Sequence, residues 1–165
     1  MKTASTFIEA LKKEHQGAEE VLAELERASE ELARGVEARP GLVAVDSALA
    51  FFNQSLKTHF RREEEGVFPA LSQAIGPAGP VQAMLSEHRS FWMAVDSLEE
   101  ARYRFEKGDD GELERSVRHV VWLLRGHIER ETKVLFPLLA QHLGPRELSQ
   151  VEQAWKGLEN PSERI

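Results

Sequence analysis

The sequence predicts an all-α protein: an up-down-up-down four-helix bundle followed by a short C-terminal helix. Three observations predict it. No stretch alternates apolar and polar residues with a strand's period of two. Glycine and proline interrupt the chain at Gly35–Gly41, Gly76–Pro80, Lys107–Gly111 and Gly144-Pro145. Between these breaks apolar residues recur at spacings of three and four, the pattern of a helix with one buried face.

The first helix has the seam Ile8, Leu11, His15, Ala18, Leu22, Leu25, Ser29, Leu32. The second reads Leu42, Val45, Leu49, Phe52, Leu56, His59, Glu63. The third reads Val81, Leu85, His88, Trp92, Val95, Leu98, Arg102, and the fourth Leu113, Val117, Val120, Leu124, His127, Glu131, Val134, Leu138. Short connections make sequence neighbours antiparallel. Residues from about Pro145 to Leu158 form the extra helix, with Trp155 placed to pack across the bundle. The expected organisation is a single domain over 1–165, with the bundle at about 5–143 and the last helix at about 145–158.

Composition narrows the function. The chain has 165 residues, 41% hydrophobic and 30% charged, with a formal charge of −7. No basic patch stands out, which argues against nucleic acid, and the negative charge argues against an anionic membrane surface. Cysteine is absent. Thiolate metal sites, iron–sulfur clusters, disulfides and cysteine nucleophiles are therefore excluded, and any metal must be held by imidazole, carboxylate or water. The N-terminal stretch carries Glu9 and Glu14 and has no apolar core, so no signal peptide is expected. The longest apolar run, Val134 to Ala140, is too short to span a bilayer. A cytoplasmic protein is the expectation.

Six polar residues occupy seam positions where leucine would be expected: His15, His59, Glu63, His88, His127 and Glu131. A buried imidazole or carboxylate without a partner costs several kcal/mol, against a net fold stability of only about 5–15 kcal/mol. Something must compensate them. His15 lies about 19 residues before the end of its predicted helix, and His59 about 18 after the start of the next. At roughly 1.5 Å per residue both stand about 27–29 Å from the same end of the bundle. His88 and His127 match each other in the same way, so all four fall in one layer.

His59/Glu63 and His127/Glu131 share the spacing i, i+4, which stacks two side chains on one helix face. Six such groups exceed one tetrahedral zinc and suit two metals about 3.5–4 Å apart, linked by carboxylates. Imidazole with carboxylate suits iron, manganese or zinc alike. A hidden duplication supports a two-part site. The segment beginning His59-Phe60 aligns with the one beginning His127-Ile128: His, apolar, x, Arg, Glu, then Phe68-Pro69 or Phe136-Pro137. Glu14-His15 and Glu87-His88 likewise mark matching positions in the first and third helices.

These motifs resemble the hemerythrin-like, or HHE cation-binding, domains over about residues 5–143. One His, a His-x-x-x-Glu, one His and a second His-x-x-x-Glu fall on successive helices. The resemblance implies a non-haem di-iron centre with His15, His59, Glu63, His88, His127 and Glu131 as ligands, and with Glu63 and Glu131 as bridges. It implies a small diatomic or peroxide ligand, taken up for sensing, storage or scavenging. The alternative it carries is iron handling and repair, or peroxidase-type chemistry. The sequence names no catalytic residue and no protein partner.

Oxygen-carrying hemerythrins have a further His four residues after the third-helix His, where this chain has Trp92. That departure leaves one metal an imidazole short. Solvent, an exogenous ligand or a carboxylate such as Glu19, one turn after His15, would fill the place. Several other residues have plainer readings. Glu14, Glu87 and the Glu63-Glu64-Glu65 run beyond Glu63 itself are read as solvent-facing, with a minor supporting role open to Glu14 and Glu87. His119 is a surface residue, and His142 completes a helix end. Phe68 and Phe136 are packing residues. The rival four-helix carboxylate proteins use Glu-x-x-His, which occurs nowhere in this chain. Without His-Glu-x-x-His or a seam nucleophile, a zinc hydrolase also falls behind.

Overall fold

A computed structural model describes residues 3–34, 39–109 and 111–158. They form α1 (Thr3–Ala33), α2 (residues 39–75), α3 (Pro80–Glu106), α4 (residues 113–142) and α5 (Pro145–Gly157), with no strand among the described residues. The first expected break is shorter than the sequence implied. Arg39, Pro40 and Gly41 already belong to α2, and residues 35–38 lie outside the described residues. Pro40 is tolerated there because the first helical turn has no internal acceptor for its missing N–H. Gly41 is buried against α1, where a Cβ would stand 3.4 Å from Leu32 Cγ.

Contacts between side chains give the helix directions. Arg102, near the end of α3, holds Asp46, near the start of α2, through two hydrogen bonds of 2.8 and 3.0 Å. Farther along, Glu64 of α2 meets His88 of α3, so the two helices run antiparallel. Arg125 of α4 pairs with Glu26 of α1, while His15 of α1 meets Glu131 of α4, so these also run antiparallel.

The apolar side chains form two clusters. One contains Leu22, Leu25, Phe52, Leu98, Val117 and Leu124; the other contains Leu11, Leu71, Met84, Leu135, Leu139 and Trp155. In sequence, the six polar seam residues fall between these two groups on every helix. The polar layer is thus closed at both ends by apolar packing. Helix α5 lies against α1 and α2, and Trp155 is buried there as the sequence anticipated.

Both α2 and α4 contain widened π turns, at Phe52–Leu56, Glu63–Val67 and Glu131–Leu135. Two of them begin at the seam glutamates. Their cause is the duplicated proline. Pro69 and Pro137 have no N–H, and each ring would strike the carbonyl four residues back, on Glu65 or Lys133. Both carbonyls lie inside a π turn, whose wider loop relieves the clash.

The wide turn also shifts the register of α4. Leu135 and Leu139 are completely buried, whereas Val134 is 37% exposed and Leu138 only half-buried. This corrects the predicted seam after Glu131, which assumed an unbroken α-helical period. In metal-free protein, Leu135→Ala is expected to cost about 2–5 kcal/mol by urea unfolding. Val134→Ala should stay within about 0.5 kcal/mol. Equal costs at the two positions would contradict the shifted register.

Candidate metal centre

The structure brings all six predicted residues together. His15, His59, His88 and His127 are each at most 7% exposed, and Glu63 and Glu131 are fully buried. They form two sets. One comprises His15, His59, Glu63 and Glu131; the other comprises Glu63, His88, His127 and Glu131. In each set one donor atom per residue lies within 4.8 Å of the others, so each could hold a metal ion. Both glutamates belong to both sets.

Their oxygens divide between the sets. Glu63 Oε1 is 3.3 Å from His59 Nε2, and its Oε2 is 3.3 Å from His88 Nε2. Glu131 Oε1 is 3.1 Å from His127 Nε2, and its Oε2 is 2.7 Å from His15 Nε2. These are ion-pair distances without hydrogen-bond directions. All four carboxylate oxygens, and His15 Nε2, are buried with no hydrogen-bond partner. Polar atoms rarely remain in that condition unless something else satisfies them.

A second ring of glutamates fixes the imidazoles from outside. His59 Nδ1 donates to Glu14 Oε2 (2.6 Å), His88 Nδ1 to Glu64 Oε1 (2.7 Å), and His127 Nδ1 to Glu87 Oε2 (2.9 Å). An ionised carboxylate only accepts, so the proton sits on Nδ1 and each neutral ring turns its Nε2 lone pair inward. His88 Nε2 and His127 Nε2 then face each other at 3.2 Å. With both rings neutral the two lone pairs would repel, so a shared proton or a metal cation between them accounts for this separation. Two imidazoles on one zinc-like ion at about 2.0–2.1 Å stand roughly 2.9–3.4 Å apart, which this separation fits.

Glu14, Glu64 and Glu87 therefore do more than face solvent, which corrects the plain reading of Glu64 and extends the minor role left open to Glu14 and Glu87. Each accepts from a histidine on the next helix. The arginine of the duplicated motif explains two of them. Arg62 donates to Glu14 at 3.1 Å, and Arg130 reaches Glu87 at 2.6 Å. Each arginine sits three residues after the histidine whose carboxylate it shares. The fourth place in the ring is broken. The position matching Glu64 is Thr132, whose hydroxyl donates to the Ile128 carbonyl. Among the described residues no carboxylate meets His15 Nδ1.

Aromatic rings close the His88–His127 side. Phe60 lies flat on His88, with centroids 3.7 Å apart, and Phe68 packs beside it at 5.4 Å. Trp92 packs edge-on against Phe60 and Phe91. The space expected to open beside Trp92 is filled by these rings. Glu19 does not fill it either, because its carboxylate pairs with Arg125. On the other side Phe136 stacks on His15 at 5.5 Å, repeating the Phe68–His88 contact, and Trp155 meets His59 edge-on at 5.6 Å. His119 is exposed beside Trp122, and His142 occupies the last turn of α4, as expected.

The family model for the hemerythrin HHE cation-binding domain matches residues 6–139. The chain belongs to that family. The match takes in all six inward residues and ends before α5. No curated protein sequence matches the chain. No helix of this hemerythrin domain, among the described residues, is long and apolar enough to cross a membrane.

In the metal-free hemerythrin domain, protons take the place of cations. Burial alone would lower the pKa of His127, but Glu131, Glu87 and Glu63 outweigh it and raise it to about 10. His59 is likewise raised well above its ordinary value, burial being outweighed by Glu63 and Glu14. Glu131 is held well below the usual carboxylate range, because His127 and His15 overcome the effect of burial. A histidine raised in the fold stabilises it fully below its unfolded pKa of about 6.5 and loses that contribution as pH climbs through the folded value. Metal-free protein should therefore lose stability between pH 6.5 and about 10, read as a falling urea midpoint. His127→Leu should flatten that slope. A midpoint that rises over this interval would contradict the assignment.

Proposed function

We propose that the six inward residues hold two iron ions. His15 and His59 serve one ion, His88 and His127 the other, and Glu63 and Glu131 each give one oxygen to each. The pair binds oxygen, nitric oxide or peroxide for sensing, storage or scavenging. One observation carries this reading: two four-residue sets share both buried carboxylates, whose oxygens have no other partner. A single ion would use one set and leave carboxylate oxygens of the other unsatisfied. Manganese and zinc suit the same donors, and iron is chosen on the family resemblance.

Bound iron would supply the redox change and the affinity for the small ligand. The chain's own residues do the rest. The outer glutamates hold the proton on three Nδ1 atoms and so fix those rings with Nε2 aimed inward, a contribution for which loss of one partner typically lowers metal affinity about 10–100-fold. The apolar clusters above and below keep bulk water from the layer. Arg62 and Arg130 hold Glu14 and Glu87 against their histidines.

A second reading, in which iron is handed on for repair of other centres, is favoured by the broken ring. Among the described residues no carboxylate buttresses His15 Nδ1, so an ion it served would be the less firmly held.

The visible spectrum of anaerobic iron(II) protein, taken before and after air with iron counted per chain, separates these readings. About two irons per chain, with a band that appears in air and fades on deoxygenation, is the result expected for a carrier or sensor. Two irons with a permanent iron(III) band would favour redox or iron-handling chemistry. Fewer than one iron per chain would remove the functional reading.

A further inference from the structure

The two halves of the duplicated bundle differ beside the metal layer, and the half with the smaller side chains borders a cavity. Three residues after the lone histidine, α3 carries Phe91 while α1 carries Ala18. Directly after the paired histidine, α2 carries Phe60 while α4 carries Ile128. On the His88 side the two phenylalanines meet at 5.6 Å and fill the space. On the His15–His59 side their smaller counterparts, both buried, line a cavity of about 170 Å³. Neither His88 nor Glu63 borders it, whereas His15, His59, His127 and Glu131 do.

We propose that this cavity binds an organic molecule with an apolar body and one oxygen-donor head, the class that contains small organic hydroperoxides and their alcohols. The inference rests on the metal reading above for its polar end and on the cavity itself for its size. Protein interiors pack closely, and few voids exceed a water molecule. A diatomic gas or hydrogen peroxide would occupy only a small part of the space. An apolar cavity of about 150 Å³ is known to hold benzene, so an occupant of about six to eight non-hydrogen atoms fits.

The walls dictate its orientation. Ala18, Phe51, Leu56, Phe60, Leu124 and Ile128 supply the apolar surface. His15, His59, His127 and Glu131, the residues proposed above to hold metal, form the polar end, with Glu14 and Arg62 beside them. The mouth lies between α1 and α2 at Gly17, Ser55 and Thr58, none of which is buried. At Gly17 a Cβ would meet nothing within 4 Å, so the absent side chain keeps the entrance clear without serving the packing of the helices. Glycine within a helix costs stability relative to alanine. That cost is offset here by access.

The test uses the whole chain and benzyl alcohol as probe, with binding followed by saturation-transfer NMR on metal-free and iron(II)-loaded protein. Wild type should bind it in both forms. Gly17→Leu should weaken binding at least tenfold while keeping the wild-type iron content. Gly17→Ala should bind within about twofold of wild type and raise the thermal midpoint, as its helix propensity requires. If Gly17→Leu fails to fold, Ser55→Phe at the exposed lip should give the same loss. No binding to wild type, or equal binding by wild type and the blocked variant, overturns the proposal. The iron count in the same samples judges the metal reading separately: a full count without benzyl alcohol binding leaves that reading standing.

Discussion

Glu63 and Glu131 are fully buried, and among the described residues their four oxygens face only imidazole nitrogens, at 2.7–3.3 Å and without aligned hydrogen bonds. A buried carboxylate without compensating positive charge is among the costliest arrangements available, amounting to several kcal/mol even after relaxation. Two of them within one layer cannot be sustained by the surrounding leucines. They require positive charge, and in the metal-free chain His59 and His127 supply part of it by staying protonated above their usual range. Cations held at the same places would replace those protons. The burial of the two glutamates, the inward lone pairs and the outer carboxylates all follow from that single demand.

The backbone is shaped to the same end. In the two π turns that begin at a buried glutamate, the proline two residues beyond the turn requires the wide loop. Downstream residues then return to the core one position later than a regular helix would bring them. The cost of a locally irregular helix is repaid by two leucines, Leu135 and Leu139, that seal the layer from below. The duplicated Phe-Pro thus has two separate tasks. The phenylalanine packs beside a histidine of the neighbouring helix, and the proline sets the turn that places the glutamate.

Much of this was legible in the sequence, because seam positions with the wrong polarity are a strong signal. The four helices and the six inward residues could be read from periodicity and from depth along the bundle. The outer ring was not read, although its signal was present. Glu14, Glu64 and Glu87 sit one position beside a seam residue, about 100° around the helix, and so point at the adjacent helix rather than at the axis. Residues on such flanks look solvent-facing when each helix is considered alone. The arginine of the repeat was noticed without a role; its role is to hold Glu14 and Glu87. Trp92 was read as opening the site, yet the deciding residue is Phe60, whose ring lies on His88 and closes that side. Whether a missing imidazole leaves a vacancy depends on which neighbour moves into it, and a seam on one helix does not contain that information.

The central claim is that two ions share the two buried carboxylates. X-ray absorption at the iron edge of the loaded protein tests it most directly. A metal–metal vector of about 3.5–4 Å, with nitrogen and oxygen neighbours only, is the predicted result, and Glu63→Gln should abolish it. A spectrum with no metal neighbour at full iron loading would mean that the ions sit singly, and the account of why these glutamates are buried would fail.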